Sequence, residues 1–67
     1  MPADEMAELL GIDLPATRPY ETVAGFVIDR LQRIPQTGES MEFDNWRFEV
    51  VDLDHRRVDK VLASRVP

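Results

Sequence analysis

The chain contains no cysteine, so it can build neither a disulfide framework nor a thiolate metal site. That composition fits the cytosol. It has a single histidine, His55. A nucleophilic triad has only that residue to build on, and no serine or lysine stands in a recognisable nucleophile setting. Long apolar runs are missing too. The longest, Val23 to Ile28, falls far short of the ~20 residues a membrane span needs. Acidic rather than basic residues follow Met1, so no signal-peptide pattern is read. Any membrane link is expected from a part of the protein outside this sequence. Basic charge is scarce, with 8 Lys and Arg against 13 Asp and Glu and a net charge of −5. Such a surface repels phosphate backbones, so no nucleic-acid partner is expected.

With 67 residues the chain makes one domain, residues 1–67. A chain of this size buries only about 60% of the surface its unfolded form exposes, so the core is small. Apolar residues are 43% and charged residues 31% of the whole, a globular rather than a disordered composition. There is room for one sheet and one or two helices, and little for a deep catalytic cavity.

What is present is a change of hydrophobic period. Met6, Leu9 and Leu10 recur at helical spacing in Pro2–Leu10. Asp4 and Glu5 suit the positive end of that helix, and Gly11 a left-handed cap. Ile12 and Leu14 then pin the exit segment to the core, and Pro15 to Pro19 reads as a linker. Val23, Phe26, Val27, Leu31 and Ile34 share one face of a second helix, which Ala24 and Ile28 widen. Thr22 is its expected N-cap. Pro35 disfavours the α conformation at Ile34, so the spacing predicts a helix over Val23–Ile34. Beyond Gly38 the period becomes 2. Met41 and Phe43 mark one strand, and Trp46, Phe48 and Val50 a second, joined by a tight Asp44-Asn45 turn. The alternation slips at Val50-Val51, with Val51 and Leu53 taking the alternate positions, which reads as a β-bulge. Asp54-His55-Arg56 is a second turn, and Arg57–Ser64 a third strand with Val61 and Ala63 on one face. Val58 is out of phase and is assigned to the turn. The fold class is therefore α+β, with two helices on a three-stranded antiparallel meander.

Few residues point to chemistry. Asp44, Asp52, Asp54 and Asp59 gather near the last hairpin beside His55. Hard divalent cations want several carboxylate oxygens, which makes Asp52, Asp54 and Asp59 the candidate ligands. Their spacing does not follow an EF-hand loop, and no glycine marks its turn, so solvated turn and edge residues are the favoured reading. Arg30, Arg33, Arg47, Arg56 and Arg57 could form a patch for phosphate or anionic lipid. Each has an acidic residue within four positions in sequence, and salt-bridged surface faces are favoured instead. Gly25 inside a helix costs ~1 kcal/mol against alanine, which suggests close approach to a strand. Trp46 shares a face with Phe48 and Val50 and is assigned to the core rather than to a ligand platform. No catalytic residues are assigned, and the chain is not expected to be an enzyme.

Several stretches follow one family's pattern in order. They are Tyr20-Glu21-Thr22-Val23-Ala24-Gly25-Phe26-Val27, Arg33-Ile34-Pro35-Gln36-Thr37-Gly38-Glu39, Phe48-Glu49-Val50 and Arg57-Val58-Asp59-Lys60-Val61. From about Met6 to Arg65 the chain resembles the transporter-associated domain at the C-terminus of CorC/HlyC proteins, which are magnesium and cobalt efflux or haemolysin-like proteins. The resemblance implies a cytoplasmic module that modulates transport of ion substrates. Its expected partners are CBS domains and a membrane domain of the parent protein. It also implies a fold similar to part of certain flavin-binding domains, so flavin adenine dinucleotide is the alternative ligand by fold analogy alone. No phosphate cradle is visible, and no flavin is expected to bind. Family members usually carry a strand before the first helix, and none is visible here. A sheet edge is therefore expected to be open and to support a weak homodimer.

Overall fold

A computed structural model describes every residue of the chain except Arg56. Helix α1 spans Ala3–Leu10, with Pro2 as its extended N-cap at φ −64° and ψ 143°. Pro2 therefore precedes the helix rather than opening it, and its carbonyl accepts the Met6 N–H at 3.1 Å. Helix α2 spans Val23–Leu31. The two helix starts satisfy one another. Ala3 N–H donates to the Glu21 carbonyl at 2.8 Å, and Val23 N–H donates to the Met1 carbonyl at 3.0 Å. Two of the orphan donors that every helix start carries are thus paired across a short antiparallel bridge between Pro2 and Thr22.

Thr22 caps α2 as expected, its Oγ1 accepting the Gly25 N–H at 3.1 Å. The helix ends at Leu31 rather than Ile34. Gln32 turns left-handed at φ 60°, three residues before the proline, and closes the helix with its N–H on the Ile28 carbonyl. The chain then runs outward, so Ile34 is 45% exposed instead of lying on the core face, while Pro35 is buried. In α1, Gly11 takes the left-handed cap position at φ 71°. Ala3, Met6 and Ala7 form the buried face, and Leu9 is 69% exposed.

Gly25 is crowded, but not by a strand. A Cβ there would sit 3.0 Å from the Tyr20 Cβ and 3.4 Å from the Thr22 hydroxyl. The close neighbour is the segment leading into the helix. Because Tyr20 is itself buried, it has little room to give. Gly25→Ala is expected to forfeit the gain of about 1 kcal/mol that helix propensity alone would bring and to lower the urea midpoint. A raised midpoint would show that Tyr20 yields.

The sheet has strand order β1-β2-β3, from Ser40–Phe43, Trp46–Asp54 and Arg57–Arg65, all antiparallel. Asp44 and Asn45 both have positive φ, 52° and 68°, as a two-residue hairpin turn requires. The phase slip at Val50 is real and is one of two irregularities. Val50 pairs with Val61 and Asp52 with Lys60, leaving Val51 as the extra residue of β2. Leu53 then pairs with Val58, leaving Asp59 as the extra residue of β3. The second irregularity cancels the first. Hence Val51 does not share Leu53's side, as the alternation suggested. Val51 is 46% exposed, and Leu53 is half-buried against the core. Val58 likewise belongs to the strand rather than the turn, and β3 runs one residue past Ser64. The expected Asp54-His55-Arg56 turn includes the residue outside the described set. Asp54 ends β2, and His55 is left-handed at φ 59°.

The core is built around Phe26, which is fully buried together with Val27, Phe48 and Val50. Its ring meets Tyr20, Phe43 and Phe48 edge-on at centroid distances of 5.5, 5.3 and 5.3 Å. Trp46 is only half-buried at the margin of this cluster. Removing so central a ring leaves a cavity that a small core cannot close. Phe26→Ala should cost about 3–5 kcal/mol, which is a large share of the stability of a domain this size. Urea denaturation checks this, and an unchanged midpoint would displace Phe26 from the centre of the core.

Candidate functional site

The candidate carboxylates sit at the far end of the β2–β3 hairpin. Asp52 and Asp54 flank the half-buried Leu53 on β2, and Asp59 is the bulged residue of β3. All three are exposed, as is Asp44 in the other turn. A cation stands opposite two of them, since Asp52 pairs in register with Lys60 and Asp54 with Arg57. His55 Nε2 lies 3.8 Å from the Asp54 carboxylate, and both side chains are solvated. Among the described residues no three His, Asp or Glu side chains are placed to hold a metal ion.

Among the described residues, the ion-paired arginines take partners well separated in sequence. Arg18 of the linker reaches across to Asp4 on α1, fourteen positions away. Its Nη1 also donates to the Pro15 carbonyl at 2.6 Å, and its guanidinium lies 5.7 Å from the Tyr20 ring centre. This side chain straps the Pro15–Pro19 segment, which has no hydrophobic period, onto α1. Arg33 forks onto Glu39, with Nη1 to Oε1 at 2.8 Å and Nη2 to the other oxygen. The same Oε1 accepts the Gln36 N–H at 3.0 Å, so Glu39 closes the loop between α2 and β1. Arg30 and Arg65 cover the Phe43 and Trp46 rings at 4.9 and 5.7 Å. Among the described residues, Arg18, Arg30, Arg33 and Arg65 are thus each engaged in separate contacts.

A largely apolar concave surface lies elsewhere. Between the helices and β3 runs a groove of about 590 Å³ whose walls include Met6, Leu10, Val23, Val58 and Val61. Arg57, Asp59 and Lys60 line its β3 side, and Leu9 lines it from α1. β3 is an edge strand, bonded to β2 on one flank. The sequence reading grouped Leu9 with Met6 and Leu10 in one apolar stripe and did not identify this groove. A usable signal was present, because a stripe of Met6, Leu9 and Leu10 is broader than an eight-residue helix needs beside the small Ala3 and Ala7.

Two helices laid on one side of an antiparallel meander, with a strapped linker between them, define a small α+β domain. Residues 1–67 match the transporter-associated domain family CorC_HlyC over the whole chain, and the chain belongs to that family. The corresponding domain of a Xylella fastidiosa Temecula1 hemolysin, solved in complex with Mg++ and Mn++, superposes with a TM-score of 0.86 at 42% identity, over 100% of this chain and 80% of that one. A CorC_HlyC domain from Haemophilus ducreyi superposes with a TM-score of 0.91 at 28% identity, over 100% of this chain and 81% of that one. In sequence, the polyamine export protein of Escherichia coli K12 is 39% identical over 66 residues, 97% of this chain and 15% of that protein. A UPF0053 protein of Synechocystis is 41% identical over 70 residues, 100% of this chain and 16% of that protein. The chain thus spans about 15% of the length of such relatives. The family and the Xylella domain are described as transporter-associated.

The Xylella domain's ions raise the question of this chain's carboxylates. Exposed carboxylates that face cations are well hydrated and charge-balanced, which favours neither dehydration nor capture of a hard ion. Magnesium titrated into this chain is expected to give only weak heat without a defined stoichiometry. Calorimetry showing saturable binding that Asp54→Asn abolishes would make the cluster a site.

Proposed function

We propose that this domain is a regulatory and interaction module of a membrane cation exporter, acting by contact with other parts of its parent protein. The observation that carries the reading is the match of the whole chain to the transporter-associated family, in relatives of which it forms a small fraction. Magnesium or cobalt is the cargo that the CorC resemblance favours, while the relatives' name extends the class to organic polycations. In either case the domain is an accessory to transport and not a catalyst, and it lies on the cytoplasmic side beside CBS domains. Grafting this chain in place of the matching segment of the Escherichia coli polyamine export protein tests this. The graft is expected to retain export, and deletion of the segment to change its rate or its dependence on cargo. Export that is unaltered by deletion overturns the reading.

Flavin does not enter it. The start of α2 is where a phosphate would find helix N–H groups, but the Thr22 hydroxyl already takes the Gly25 N–H. The space above Gly25 is filled by Tyr20. Titration with flavin adenine dinucleotide should give no saturable binding in the micromolar range, and saturation there would restore the small-ligand alternative.

A weak homodimer is the second reading of the open sheet. Leu62, on the face away from the helices, is 55% exposed, and β1 and β3 both end the sheet. Self-pairing through β3 alone would set Arg57, Lys60 and Arg65 of two copies side by side, so the face around Leu62 is the better contact. Sedimentation is expected to show monomer at low micromolar concentration and a growing dimer fraction towards millimolar. Leu62→Glu should keep the chain monomeric. A monomer throughout leaves contact with the parent's other domains as the only association.

A further inference from the structure

We draw no further inference here: the strongest candidate, the apolar groove between the two helices and the open edge of β3, carries none because nothing in the structure shows what covers it.

Discussion

Burial of the Phe26 ring holds four separate stretches of this chain together. The ring comes from α2, and its edge-on partners come from the approach to α2, from β1 and from β2. Edge-to-face pairs add a modest attraction to the apolar area that the rings bury. Convergence matters more than any single pair, since the buried residues among those described form this one small cluster. The outer faces of the cluster are not left bare. Arg30 lies over Phe43 and Arg18 over Tyr20, so long cationic side chains cover aromatic surface that no apolar residue is available to cover.

The paired bulges extend this core along the sheet. Side chains alternate along a strand, so one extra residue would turn every later side chain of β2 to the other face. The extra residue of β3 at Asp59 restores the pairing, and Leu53 and Val58 meet on the covered side. The two extra residues themselves, Val51 and Asp59, are the ones put into solvent. This is also why Val58 looked out of phase with Val61. The two are three positions apart, yet they face the same way because a bulge lies between them.

Much of this was legible in the sequence, and the failures share a cause. Thr22, Gly11, the Asp44-Asn45 turn and the change of period near Gly38 act through local chemistry, and each does what its neighbours in the chain dictate. Ile34, Leu9 and the neighbour of Gly25 depended on tertiary geometry. Ile34 continues the helical period, but a left-handed Gln32 takes it off the helix before the proline acts. Leu9 fits the stripe of α1, yet the buried face is set by Ala3 and Ala7, which allow α1 to lie close. Arg33 is salt-bridged as expected, but the identity of the partners was hidden for a related reason. Arg18 and Arg33 choose partners brought near by folding, fourteen and six positions away, and sequence proximity does not report that. For Asp52, Asp54 and Asp59 the sequence offered only clustering and spacing, and the register adds that lysine and arginine stand opposite Asp52 and Asp54.

The groove follows from a mismatch of lengths. At 1.5 Å per residue the nine residues of α2 reach about 13 Å, whereas nine residues of β2 or β3 reach about 30 Å. Two short helices therefore cannot cover the inner face of the hairpin. Within that face Phe48 and Val50 of the central strand are fully buried. The residues of β3 that face the same way, Val58, Val61 and Ala63, stay half-buried. Burial in turn divides the sheet by how freely its residues can vary. A change at Phe48 or Val50 opens a cavity, while a change at Val58 or Val61 is partly relieved by solvent. The strand that bounds the groove thus carries core side chains that are less committed to stability than those of the central strand.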